Sequence, residues 1–225
     1  MKTVSKNPVI LLHGLDDTPR VFDKMARYLG DRGWAVHIPA LTPSNGAVGL
    51  EVLAQQVADF VEARLGPSQR LDLVGFSMGG IVGRYYGQRL GGLDWMQRFI
   101  TISSPHRGTW MGYGRWNAGA TQMRVGSDFL ADLNRDWAAL ERVQFSSFWT
   151  PWDLMILPAE SSVLPVGRSR SFPVGLHPWM LTDDRVLAAV AEALGAQEAD
   201  RSPSGANEGG RGGAIAGEVP IGRIQ

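Results

Sequence analysis

Leu71-Asp-Leu-Val-Gly-Phe-Ser-Met-Gly-Gly80 is the stretch whose reading decides the fold. An apolar, strand-like segment (Leu71, Leu73, Val74) runs into Gly75-Phe76-Ser77-Met78-Gly79, and a helix-like segment from Ile81 to Leu90 follows at once. Strand, sharp turn and helix form the setting in which G-x-S-x-G acts as a nucleophile elbow. Any side chain at Gly75 or Gly79 would crowd so tight a turn. In return the Ser77 hydroxyl is held above the sheet, at a helix N-terminus whose dipole favours developing negative charge. A Gly-rich turn with an incidental serine gives the same five letters, so the meaning rests on what surrounds them.

The first support lies upstream, in Pro8-Val-Ile-Leu-Leu-His-Gly-Leu-Asp-Asp17. A buried apolar strand, Val9 to Leu12, ends in His13-Gly14 and a loop that leads to a helix beginning near Pro19. A serine nucleophile makes a tetrahedral intermediate whose negative oxygen needs preorganised N–H donors. The elbow supplies one at the residue after the nucleophile, here Met78. The loop after a neighbouring strand supplies the second, and Leu15 is the candidate because it follows His-Gly.

The segments PVILLHGLDD, LVGFSMGG and ITISSPHRGT resemble the α/β-hydrolase superfamily, in particular its small bacterial triacylglycerol lipases and esterases. The resemblance runs from Pro8 to Leu194. It implies a mostly parallel central sheet with helices on both faces and a serine hydrolase that needs no cofactor. Phe76 departs from the pattern, since many such lipases carry His there. The position flanks the nucleophile and is not a catalytic group, so the change bears on subfamily.

A serine hydroxyl needs an adjacent base, and in this fold the chain order is Ser, acid, His. Of the four histidines, His13 belongs to the oxyanion loop and His37 sits inside the strand-like Ala35-Val-His-Ile38. His106 lies in the Ser104-Pro-His-Arg-Gly108 loop and His177 in a late loop before the last helix, which Thr182 could cap. The late position is where the resemblance places the general base, so His177 is preferred, with His106 second. Lining of the acyl or alcohol site is the more natural role for His106. For the acid, Phe145 to Trp149 reads as a late strand and Thr150-Pro-Trp-Asp153 as the loop at its end. A carboxylate there can accept from the imidazole and fix its tautomer, so Asp153 is chosen. Asp183 and Asp184 compete, but acids are expected in a first helical turn for dipole reasons alone. Glu160 is a weaker alternative. Substrate contacts are expected from His13, Phe76, His106 and Phe129.

Composition agrees and excludes. The 225 residues fit one domain, and 44% hydrophobic residues supply its core. Twenty-two basic and 22 acidic residues balance, which gives no hint of nucleic acid or anionic membranes. Without Cys there are no disulfides or thiolate metal sites. No G-x-G-x-x-G follows a strand and no His pair has ligand spacing, so nucleotide and metal enzymes are disfavoured. No apolar run nears the roughly 20 residues that span a bilayer. Met1 to Lys6 leaves no room for an apolar leader, so the expected address is the cytoplasm.

The remaining chain alternates as a doubly wound sheet should. The pattern predicts a helix over Arg20 to Leu29, a strand over Trp34 to Ile38 and a helix carrying Leu50, Leu53, Val57, Phe60, Val61 and Leu65. A strand over Phe99 to Ile102 and a closing helix with Val186, Leu187, Val190 and Leu194 complete it. The hydrolase domain is therefore expected over residues 1–195. Residues 109–142 interrupt the alternation, with Ser127 to Asn134 as a short capped helix. The resemblance implies a cap-like insertion there, with Phe129 and Leu133 near the acyl site; packing on the flank of the sheet is the plainer alternative. Residues 196–225, rich in Gly, Ser and charge, are expected to be a disordered tail. The function implied is hydrolysis of lipid-like or apolar carboxylic esters. The alternatives are an acyl-thioesterase or lipid deacylase on the same fold, and an inactive ligand-binding homologue.

Overall fold

A computed structural model describes residues 6–66 and 69–196; the tail expected at the C-terminus lies, but for Ala196, outside the described residues. The three signature segments become the centre of a six-stranded parallel sheet in the order β2-β1-β3-β4-β5-β6. The strands are β1 (Val9–Leu12), β2 (Val36–His37), β3 (Leu71–Phe76), β4 (Met96–Ile102), β5 (Gln144–Trp149) and β6 (Arg168–Ser171). The main helices are α1 (Asp23–Gly30), α2 (Leu50–Leu65), α3 (Met78–Arg89), α4 (Ala118–Gln122), α5 (Asp128–Arg135) and α6 (Asp184–Gly195). This is the mostly parallel, doubly wound α/β sheet of the α/β-hydrolase fold.

Period-two alternation sends successive strand residues to opposite faces. Ile10, Leu12, Leu71, Leu73 and Phe99 pack with α2, α3 and α5 in one core, through Leu53, Val57, Ile81 and Leu133. Val9, Leu11, Val74, Ile100 and Ile102 pack with α1 and α6 in the other, through Met25, Leu29, Val186 and Val190. Strands buried on both faces read as unbroken apolar runs, which is why β1 was legible in sequence.

Several boundaries differ from the sequence reading. β2 keeps two residues of the five expected, because Trp34 turns into the α1 core instead of pairing. The helix expected from Arg20 begins as a 3-10 turn, Pro19–Phe22, before α1. Thr182 ends the 3-10 turn His177–Leu181, and Asp183 caps α6 by accepting from the Arg185 amide.

The order of the strands positions the site. The chain leaves β1 for β2 on one side, then crosses to β3 on the other. Loops leaving β1 and β3 therefore diverge at their C-terminal ends and open a crevice. Gly14–Leu15 and Ser77 stand at its two lips.

Residues 109–142 divide into two parts. In the second part Leu130, Leu133 and Leu140 are buried in the α3 core, and Phe129 stacks on Tyr85 of α3 at 5.4 Å with planes 8° apart. Phe129 and Leu133 thus pack on the main domain. In the first part Trp110, Met111, Tyr113 and Trp116 are exposed.

Candidate active site

The elbow is built by steric exclusion. Ser77 caps α3 with φ 53° and ψ −122°, a left-handed backbone costing on the order of 1–3 kcal/mol unless its surroundings hold it. They do. Ser77 N donates to Ile102 O at 2.9 Å. A Cβ at Gly75 would stand 2.5 Å from the Gly80 Cα, and one at Gly79 would collide with the Leu12 carbonyl. Both glycines are needed for α3 to lie this close to β1 and β3. Met78 opens α3, so its amide belongs to the unpaired N-terminal turn.

Across the crevice, Gly14 is the point of closest approach: a Cβ there would sit 3.1 Å from the Ser77 Cβ and 2.8 Å from the Asp17 carboxylate. Leu15 follows, partly buried against the α2–α3 core.

The loops after β5 and β6 bring Asp153 and His177 together. His177 Nδ1 and Asp153 Oδ2 are 2.8 Å apart, with 8% and 3% of their surfaces exposed. Asp153 Oδ1 accepts from the Met155 and Ile156 amides, each at 2.9 Å. Burial opposes ionisation of Asp153. The hydrogen bond and charge of His177, together with those two amides, outweigh it and hold its carboxyl below the usual carboxylate range. The imidazole packs on Phe76 with ring centroids 4.7 Å apart. Phe76 precedes Ser77, so the ring is held against the elbow. Its Nε2 is the nitrogen left over from the pairing with Asp153.

The other expected contacts separate from this group. His13 is buried and both ring nitrogens are engaged, Nε2 by the Leu41 amide at 3.0 Å and Nδ1 with Gly14 O at 3.1 Å. Burial lowers its pKa, so it braces the loop as a neutral ring. His106 is fully buried, its Nε2 3.0 Å from Thr101 Oγ1 and its ring edge-on to Phe145. Burial first, then Arg84 and Arg107, push its pKa well below the usual value. The place assigned to His106 in the substrate pocket is therefore corrected to the interior. Asp183 is the cap of α6 and pairs with Arg185 at 2.7 Å, while Asp184 pairs with Lys24 at 2.7 Å. Glu160 is exposed.

Sequence reasoning missed Asp17. Its carboxylate accepts from the Gly14 amide at 3.2 Å. Burial raises its pKa, against the opposing effect of the Gly14 amide. An acid four residues after the histidine of His-Gly was the available signal. Trp110, Met111 and Trp116, apolar residues of the 109–142 insertion, are exposed with Tyr113 after β4. Nothing in the sequence signalled the exposed apolar residues that two further loops add, Trp152, Leu154 and Met155 after β5 and Leu176 and Trp179 after β6. The loops after β4 and β5 are joined, since Trp110 N donates to Leu157 O at 2.9 Å and Thr109 Oγ1 to Met155 O at 2.8 Å. Among the described residues no group of three or more His, Cys, Asp or Glu could hold a metal, and no helix is long and apolar enough to cross a membrane.

A parallel sheet with a strained serine elbow at its switch point makes this an α/β-hydrolase. Comparisons narrow the class. A family model described as palmitoyl protein thioesterase matches residues 8–152, well over half of the chain, and the chain belongs to that family. The match spans the loop after β1 and Ser77 and ends one residue before Asp153. The mature form of Bacillus licheniformis lipase BlEst2 superposes with a TM-score of 0.69 at 15% identity, covering 86% of this chain and 94% of that one. Aspergillus fumigatus lipase B gives 0.70 at 19% identity over 84% of this chain and 52% of its own. A Listeria innocua protein, the lin2722 gene product, gives 0.66 at 14% identity over 87% and 96%. No curated protein sequence matches. Membership makes the chain a hydrolase of the lipase, esterase and thioesterase kind.

Proposed function

We propose that this protein hydrolyses carboxylic esters with apolar acyl groups through Ser77, His177 and Asp153. The observation carrying the reading is the 2.8 Å pairing of His177 Nδ1 with Asp153, its ring packed on Phe76, the residue before a serine that the elbow keeps at positive φ. Asp153 keeps the proton on Nδ1, which leaves Nε2 free to act as base. Ser77 Oγ attacks the carbonyl carbon and its proton passes to Nε2. The Met78 and Leu15 amides take the oxyanion. Collapse breaks the bond to the alcohol, which leaves with the proton from His177. Water, deprotonated by His177, then attacks the acyl-serine, releases the acid and restores the hydroxyl. The exposed aromatic rim around the crevice supports an apolar substrate, since patches of this kind mark binding surfaces.

A second reading, hydrolysis of acyl thioesters, is favoured by the family match. The steps are the same with a thiol as leaving group, so only the substrate preference separates the two. A fluorophosphonate probe should label the protein and not Ser77→Ala, with both proteins melting alike. Equal labelling of Ser77→Ala would overturn the mechanism. Rates on an oxyester and a thioester of the same acyl chain then decide between the two readings.

A further inference from the structure

The amide assigned to the oxyanion, Leu15 N–H, belongs to the same peptide unit as the Gly14 carbonyl. In a trans peptide these two groups point in opposite directions. Whatever grips the Gly14 oxygen therefore aims the Leu15 amide. His13 and Asp17 grip it: His13 Nδ1 lies 3.1 Å from Gly14 O and the Asp17 amide donates to the same oxygen at 3.4 Å, while the Asp17 side chain fixes the other end of the residue, its Oδ2 accepting from Gly14 N at 3.2 Å. The carboxylate and the Ser77 Cβ flank the same glycine, on which neither leaves room for a side chain. The turn is tied from outside as well. Asp16, at φ 60°, donates through its amide to Ser44 O at 2.9 Å and pairs with Arg115 at 2.5 Å.

Partly burying a carboxylate opposes its ionisation, and the raised pKa of Asp17 reports that desolvation. The contact with the Gly14 amide is what offsets that cost.

We propose that Asp17 is a positioning residue that fixes the Gly14–Leu15 peptide so that the Leu15 amide faces the oxyanion. The proposal rests on the hydrolase reading above, and it also makes a claim about the resting loop that needs no turnover. What the loop requires of residue 17 is an acceptor for the Gly14 amide rather than a charge.

Asp17→Asn keeps that acceptor and Asp17→Ala removes it. On a soluble short-chain ester, Asp17→Ala should lose about 10- to 100-fold in kcat, short of the 10²–10³ that follows outright loss of an oxyanion donor. KM should change little, because the contact tightens in the transition state. Asp17→Asn should stay within about threefold of the parent, since the acceptor is kept. Amide hydrogen exchange at Gly14, read by NMR below the melting range, should accelerate in Asp17→Ala and remain slow in Asp17→Asn. An Asp17→Ala protein with parental kcat and a slow Gly14 amide overturns the proposal. So does an Asp17→Asn protein that falls as far as Asp17→Ala. Loss of the hydrolase reading would show separately, as an unlabelled parent protein whose Gly14 exchange still follows this pattern.

Discussion

Asp153→Asn should remove most turnover while leaving the fold intact, and the geometry says why. Asp153 Oδ1 accepts from two backbone amides at 2.9 Å, and Oδ2 meets His177 Nδ1 at 2.8 Å. Asparagine has one oxygen and one NH₂ to offer. Two amide donors on the backbone side demand the oxygen there, because turning the NH₂ toward them would orphan three donors at about 1–3 kcal/mol each. The NH₂ must then face His177 Nδ1, which has to accept. That moves the ring proton to Nε2, the atom that should take the proton from Ser77. The wrong tautomer costs on the order of 10⁴ in kcat in a protease with the same arrangement, or about 5.5 kcal/mol of barrier. All hydrogen bonds survive, so the melting temperature should move by no more than a few degrees. Asp183→Asn is the control. It still caps α6, and its exposed pair with Arg185 is worth only about 0–1 kcal/mol, so activity should hold. Steady-state hydrolysis of a chromogenic short-chain ester, alongside thermal melts, measures both. An Asp153→Asn protein retaining a tenth of parental kcat would refute the tautomer argument, as would loss of activity in Asp183→Asn with Asp153→Asn spared.

Leu133, fully buried between α5 and α3, should cost about 2–5 kcal/mol when cut to Ala, whereas Trp116, 90% exposed, should cost within about 0.5 kcal/mol; urea unfolding of the two variants checks the contrast. The carboxyl of Asp153 is held low, so its contribution to stability is present above the unfolded pKa of about 3.9 and is lost as pH falls through the lower folded value. Asp153→Asn should therefore flatten the acid limb of a stability–pH curve. Asp17 carries the opposite sign: its raised pKa means that ionisation costs stability, and the cost appears as pH rises through the unfolded value toward the folded one. Near pH 7, Asp17→Asn should then leave the melting temperature unchanged or slightly raised, as a thermal melt would show.

The sequence carried the frame because its signals were local. β1 and β3 are apolar runs that end in glycine turns, and steric need at Gly75 and Gly79 is written within five residues of Ser77. The order Ser77, Asp153, His177 came from the resemblance, and the structure brings the last two within hydrogen-bond distance. Other features depend on neighbours far away in the chain. His106 looked like a loop histidine until β5 and Arg84 closed over it. Phe129 and Leu133 carried a helical apolar stripe that would fit a pocket or a core equally well, and only the approach of α3 chose the core. Asp17 was an ordinary acid in a polar loop, and its contact with the Gly14 amide exists only because the turn folds back on Gly14. The sequence by itself determined the layers of the sheet and the tight turn at Ser77, since periodicity and steric exclusion act over a few residues. Which polar groups are buried and which apolar ones stay exposed was decided by the tertiary structure, because burial is set by what packs across from a residue and not by what precedes it.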